Sequence, residues 1–286
     1  MSEIVGHEMN GSQYIAARSE ESSHTVIGSV AMTAPKQSPM RSVHRAFEVL
    51  SVLELAQQPL RLTDIAQRAG LHVATTQRLV SVLAEHGYAS RHANGYTAGP
   101  AALSTAHAFA TTSPLRLVAR PVLEELATAT GLTASLYVRV QDSRVLIDRV
   151  EGGRRPLYSL PIGERLALYP GAAGKVFLAC EHDAELEHVA AELPSVTLAD
   201  GTVLDEATIR ADLEHIRARG FAISVDERQF DTTSVAALIT DSTGQLLGAI
   251  GISGASSELR DVESSTLPAD VRRAAQAIGT RVPAIG

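Results

Sequence analysis

Two short stretches hold residue types whose order could do chemistry. From His72 the chain reads His72-Val73-Ala74-Thr75-Thr76-Gln77-Arg78. Threonine offers a hydroxyl and a methyl to base edges, glutamine pairs bidentately with adenine, and arginine reaches guanine or phosphate. The small Ala74 permits close approach. The second stretch, Gly171-Ala172-Ala173-Gly174-Lys175, lets a ligand approach the backbone. If it opens a helix, its N–H groups favour an anion. The same small residues also suit close packing of a helix on a sheet. A nucleotide-hydrolysing phosphate loop is excluded, because that motif needs four residues between its glycines and Ser or Thr after the lysine. Here two residues intervene and Val176 follows.

Other catalytic patterns fail on spacing. Gly251-Ile252-Ser253-Gly254 is no nucleophile elbow, since Ala255 stands where the second glycine belongs. Glu185 and His188 are spaced as one half of a metal site, but no second ligand pair accompanies them, so they read as a solvated helix face. The single cysteine, Cys180, excludes an intramolecular disulfide framework and a multi-cysteine zinc site, and reads as a small core residue. No catalytic residue, metal or cofactor is expected.

The elements around His72–Arg78 explain how such a stretch would be presented. Val43, Phe47, Leu50, Val52 and Leu53 give a first helix an apolar face, with Ser42 as its cap and an end near Gln58-Pro59. Thr63 caps a short second helix with Ile65, Ala66 and Ala69 inward, and Gly70 supplies the left-handed residue that ends it. A third helix runs from Val73 to His86, with Leu79, Val80, Val82 and Leu83 inward and Gly87 as its stop. Asn94-Gly95 then marks a two-residue hairpin, with Tyr88 and Tyr96 stapling it. Helix, helix, turn, helix, hairpin is the order of a winged helix-turn-helix, whose recognition helix puts its N-terminal half into the major groove. His72, Val73, Ala74, Thr75, Thr76, Gln77 and Arg78 are therefore the expected readers of double-stranded DNA. Ser42, Arg45 and Thr63 are expected to join them in binding DNA, and Arg91, His92 and Asn94 of the hairpin to touch the adjacent backbone or minor groove. Few aromatics and no tryptophan argue against a single-strand stacking platform.

The chain is acidic, at net −7, yet the charge is uneven. Between residues 40 and 100 six arginines meet four acidic side chains, a balance of +2, while residues 101–286 carry −7. A mildly basic module on an acidic body suits local phosphate contact. Residues 1–39 show no sustained apolar period and no charged and apolar signal regions, so a disordered tail is expected there. No apolar run is long enough to span a bilayer. A cytoplasmic protein without a membrane partner is the expectation.

Beyond residue 100 the pattern changes. Residues 114–130 read as a helix with Leu117, Val118, Val122 and Leu126 as its stripe. Alternating runs at 134–140 and 144–150 read as a hairpin, and 156–163 as another strand. Helices are expected at 174–181, 184–192 and 205–219. Strands follow at 221–227, 233–240 and 245–253, the last two joined by Asp241-Ser242-Thr243-Gly244, and a final helix covers 268–281. Strands in two batches with helices between them predict an α+β sensor, an antiparallel sheet flanked by helices.

Several blocks carry a family resemblance. LTDIAQRAGLHVATTQRLVSVLAEHGYASR with YTAGP, then ARPVLEELATATG, VLIDRVEG, GAAGKVFLA, IRARGFAI and LLGAIGISG, resemble the IclR family of bacterial transcriptional regulators in order and spacing, from Met40 onward. The resemblance implies a winged helix-turn-helix over 40–100, a linker helix region over 101–118 and a GAF-like effector and oligomerisation domain over 119–286. It implies a regulator, commonly a repressor, that works as a homodimer or homotetramer on operator DNA under control of a small organic or aromatic acid. Its effector pocket falls on Tyr158, Leu166, Ala172, Ala173, Ser224, Ser234, Gly251 and Ser253. Ser224 and Ser234 stand where the family often has an acidic residue and a cysteine, and Tyr169-Pro170 where His-Ala is usual. Asp231 replaces a usual glycine. A less acidic pocket of different shape follows. Two other classes remain: a hydrolase or isomerase acting on a small acid, and a protein-interaction scaffold.

Overall fold

The computed structural model describes residues 40–153, 160–181, 196–259 and 261–283. Tyr158, the pair Glu185 and His188, and the helix expected at 184–192 lie outside them. The chain divides into two units between Phe109 and Ala110.

In the first unit α1 (Arg41–Glu54), α2 (Leu62–Arg68) and α3 (Val73–Glu85) precede a hairpin of β1 (Ala89–His92) and β2 (Gly95–Ala98), after which α4 (Ala101–Thr112) begins. Val49 and Leu53 of α1, Ile65 of α2 and Val80 of α3 pack with Leu60 and Ala89 into one core. The buried stripe of α1 thus falls on Val49 and Leu53, and the expected Val43 and Phe47 are exposed, Phe47 at 63%. Val82 is exposed as well, one step off the Leu79, Val80, Leu83 stripe of α3. Both expected caps are displaced. Met40 precedes α1, so Ser42 sits inside the helix. In α2 the Asp64 carboxylate accepts the Arg61 N–H at 3.3 Å and does the capping, with Thr63 already helical. Gly70 and Gly87 take the left-handed conformation that ends each helix (φ 63° and 76°). The hairpin turns at Ala93 and Asn94, one residue before the expected pair, because Gly95 already pairs with His92. A side chain at Gly95 would meet the Leu60 carbonyl oxygen at 2.2 Å, where Leu60 bridges to Tyr96. That close approach and the positive φ of 140° both require the glycine.

The second unit is a six-stranded antiparallel sheet in the order β5-β4-β3-β10-β9-β8. Its strands are β3 (Thr133–Val140), β4 (Ser143–Val150), β5 (Arg165–Ala167), β8 (Ala222–Val225), β9 (Thr233–Thr240) and β10 (Leu246–Gly254); β6 (Val196–Thr197) and β7 (Val203–Leu204) form a separate small ladder. Leu160–Gly163 lie outside the strands, and β5 comes two residues later than the expected run.

Period-two alternation sends Leu136, Ile147, Ile239, Ile250 and Ile252 to one face, under α5 (Pro114–Thr130) and α8 (Leu267–Gly279). Ala222, Ala236 and Ala249 face the other way, under α6 (Ala172–Ala179) and α7 (Glu206–Arg219). Helix α5 starts on a Ser113 cap with proline at its first position, and Gly131 at φ 72° ends it. Its stripe is Leu115, Ala119, Val122, Leu123 and Leu126, leaving the expected Leu117 exposed. The resulting architecture is mixed α+β, a helix-turn-helix unit plus a curled antiparallel sheet flanked by helices.

Candidate functional site

On α3 the expected DNA readers divide. His72, Val73, Ala74, Gln77 and Arg78 are exposed and Thr75 is half-buried. Thr76 is fully buried, and its hydroxyl donates to the His72 carbonyl at 3.2 Å. It faces the core of its own unit and cannot reach a base, which removes it from the reading set. Elsewhere Ser42, Thr63, Arg91, His92 and Asn94 are exposed and Arg45 is half-buried. His92 Nε2 lies 2.9 Å from the Thr97 hydroxyl, tying the two strands of the wing together.

In the second unit, strand register builds a floor. Thr133 of β3 stands opposite Ser253 of β10, Ser253 opposite Ser234 of β9, and Ser234 opposite Ser224 of β8. Four hydroxyl side chains thus form one row across four strands. In the next row on that face Ser135 pairs with Gly251 and Gly251 with Ala236. A side chain at Gly251 would press on the Val235 carbonyl and on Ala236, so the floor stays low there. Over it stands the start of α6. Leu166, Ala172, Ala173, Ser224, Ser234, Gly251 and Ser253 all line one cavity of about 70 Å³. The positions selected by resemblance, Tyr158 aside, therefore share a wall.

The cavity also has members that sequence reasoning missed: Thr133, Ser135, Tyr137, Arg144, Arg149 and Arg228. Arg144 is the most unusual. At 3% exposure its guanidinium lies under the loop before α6, where Nη1 donates to the carbonyls of Ala167 and Leu168 and Nη2 to Pro170. Burial above all, with the nearby Arg228 charge adding to it, pushes its pKa down to about 10. Among the described residues no carboxylate forms an ion pair with it, and its Nε–H has no acceptor. The glycines of the small-residue stretch make room for this group. A Cβ at Gly171 would lie 2.8 Å from Nη2, and one at Gly174 would collide with Nη1 and the Leu168 carbonyl. The signal was present in the strand Arg144–Val150, whose alternation puts Arg144 and Leu146 on one face.

The expected anion at the start of α6 is supplied by the protein itself. The Gly171 N–H donates to Glu227 Oε2 at 3.0 Å, and Lys175 Nζ donates to Glu227 Oε1 at 2.6 Å. Lys175 also pairs with Asp212 at 2.8 Å, and the Tyr169 hydroxyl donates to the same carboxylate. Burial, with Glu227 and Asp212 close by, raises the Tyr169 pKa above its ordinary value and keeps the phenol protonated. Lys175 thereby fixes the helix to the loop that carries Arg228. Arg149, opposite Ser135, donates to the Leu160 carbonyl and pairs with Glu151 at 2.7 Å. Cys180, expected in the core, ends α6 exposed, because the buried face of the helix stops at Ala179.

Behind the floor a second charge cluster ties the sheet to α5. Asp148 of β4 is fully buried and pairs with Arg116 at 3.2 Å and Arg120 at 3.0 Å. A bulge between Leu136 and Tyr137 sets Asp148 opposite Leu136, on the α5 face, while Arg149 next to it lines the cavity.

A helix-turn-helix unit and a separate sheet unit with a ligand-sized cavity define a DNA-binding transcriptional regulator of α+β architecture. Residues 42–93 match the model of the IclR helix-turn-helix domain, and residues 107–280 that of the bacterial transcriptional regulator IclR C-terminal domain. The chain belongs to the IclR family of bacterial transcriptional regulators. It is 31% identical over 239 residues to the HTH-type transcriptional regulator BhcR of Paracoccus denitrificans, covering 83% of this chain and 85% of that one. Identity to the transcriptional repressor IclR of Escherichia coli is 26%, over 86% of this chain and 91% of the relative. Its fold resembles that of an IclR homolog from Microbacterium hydrocarbonoxydans solved with 4-hydroxybenzoate, with a TM-score of 0.66, 22% identity and coverage of 84% and 98%. Among the described residues no helix is long and apolar enough to cross a membrane.

Proposed function

We propose that the protein is a cytoplasmic repressor whose hold on operator DNA is altered by a small organic acid bound in the sheet cavity. The observation that carries the reading is Arg144, a buried guanidinium lining a cavity that, among the described residues, no carboxylate side chain lines. A cavity of that charge favours an acid. Repression is drawn from relatives named repressors, and an acid effector agrees with the 4-hydroxybenzoate bound by the Microbacterium protein.

In this reading residues 40–100 hold the DNA, 101–118 connect, and 119–286 bind effector and partner subunits. His72–Thr75, Gln77 and Arg78 read bases, and Ser42, Arg45, Thr63, Arg91, His92 and Asn94 touch the backbone. Two or four copies of the chain assemble, and effector binding selects one arrangement and so changes the spacing of two recognition helices. The protein acts by binding, without turning over its ligand. The test is to sequence DNA captured by the purified full-length protein with and without a panel of organic acids. A single enriched motif whose recovery changes with one acid is expected; recovery of random sequence would overturn the reading.

A further inference from the structure

The cavity's lining is specific about the kind of acid. Of the five N–H groups on a guanidinium, Arg144 spends three on the carbonyls of Ala167, Leu168 and Pro170. That leaves Nε–H and one N–H of Nη2, the two nitrogens that flank one edge of the plane, the edge that takes a carboxylate side-on. Nε–H is buried without an acceptor, and a buried guanidinium short of a hydrogen bond is costly unless a ligand supplies it. The floor adds the hydroxyl row of Thr133, Ser253, Ser234 and Ser224. None of the four hydroxyls bonds to another described side chain, although Ser224 and Thr133 are buried. A hydroxyl offers one donor and two acceptor sites, so a ligand hydroxyl, which both donates and accepts, matches such a row.

We infer that the cavity takes a short hydroxylated carboxylic acid, rather than one without hydroxyls, with Arg144 holding the carboxylate and the Thr133–Ser253–Ser234–Ser224 row reading the hydroxyls. This rests on the effector reading above and narrows it. Arg144 is thereby a specificity residue as well as a support for the loop before α6. The two roles separate by experiment, since a support alone has no preference between an acid and its amide.

The test is calorimetric titration of the full chain with glycerate, propionate, benzoate and glyceramide, followed by operator binding in the presence of each. Glycerate should bind about tenfold or more tightly than the other three. Ser224→Ala with Ser234→Ala should close the gap between glycerate and propionate while leaving propionate unchanged. Arg144→Gln should remove the preference for glycerate over glyceramide. The wild-type comparison of acid with amide needs no variant, so a poorly folding Arg144 substitution does not block the test. If propionate or benzoate binds as tightly as glycerate and shifts operator affinity, the effector reading stands and the hydroxylated-acid assignment falls. Equal binding of acid and amide removes Arg144 from recognition. If none of the acids binds, the hydroxylated-acid assignment falls, and the effector reading is decided separately by the wider panel of acids in the DNA-capture test.

Discussion

Thr76 and Arg78 stand two positions apart on one helix and meet opposite surroundings. The Thr76 hydroxyl turns back to the His72 carbonyl inside the core, and Arg78 is exposed. Arg78→Ala is expected to weaken operator binding about tenfold, the cost of one base or phosphate contact, while leaving assembly and effector binding unchanged. Thr76→Val removes a hydroxyl that bonds only to its own helix and should leave operator affinity nearly unchanged. Equal losses in the two variants, measured by fluorescence anisotropy on one operator fragment, would show that α3 is held in another orientation. Residue types alone could not separate the pair, because threonine serves a base edge and a helix interior equally well; only helical phase against Val80 and Leu79 does. In the cavity, Ala173 lines the wall at the start of α6. Ala173→Trp should fill the space and abolish the response to effector with DNA binding retained. Gly174→Ala is a different kind of change, since its Cβ would meet the Leu168 carbonyl oxygen. Overpacking of this sort costs about 1–3 kcal/mol, so its signature is a lower melting temperature rather than a filled site.

Elements carry the coupling between these residues. Strand β4 presents Arg149 to the cavity on one face and Asp148 to Arg116 and Arg120 of α5 on the other. A ligand that shifts β4 therefore pulls on α5 through an ion cluster centred on the buried Asp148. Removing one partner of a buried pair strands the others, so Asp148→Ala should destabilise by about 3 kcal/mol, the low end of the range because Arg120 is partly solvated. Denaturant unfolding of the full chain checks it. Helix α7 makes a pH prediction. Hydrogen bonding from the Thr208 side chain, joined by the Thr208 N–H, holds the Asp205 pKa below its ordinary value. A depressed folded-state pKa stabilises the fold above the unfolded value of ~3.9 and loses that contribution as pH falls through the folded one. Asp205→Ala should lower the melting temperature at pH 7 and flatten the acid limb of the stability curve, and Asp205→Asn should keep the cap while flattening the same limb. The sheet and its two faces were legible in the sequence, because the runs at 134–140 and 144–150 alternate. The caps of α1 and α2 were not, because Ser42 and Thr63 fit a cap as well as Asp64 does until backbone geometry selects one. The anion at α6 was hidden for another reason. Glu227 lies 56 residues from Gly171, and no local pattern links them.

At the scale of the whole molecule the charge distribution sets how DNA is engaged. A net of −7 opposes non-specific adhesion to a polyanion, and the module at residues 40–100 carries the positive balance. Binding should then depend on a few phosphate contacts per half-site, with a modest salt slope, and on matched geometry more than on charge. If two copies present one recognition helix each, the half-sites must lie on one side of the duplex, about 34 Å apart or at a multiple of that distance. The expected outcome is periodic. Inserting ~5 base pairs between the half-sites rotates one to the far side of the duplex and should abolish tight binding, and inserting ~10 should restore much of it. Gel mobility shifts on a spacer series, with and without effector, check both the period and its control. Effector should weaken the native spacing and leave isolated half-sites unchanged, because it alters the distance between two reading heads and not the contacts of either. A loss that is the same on half-sites and full sites would mean that the ligand acts within the winged unit, and the two-headed mechanism would fall.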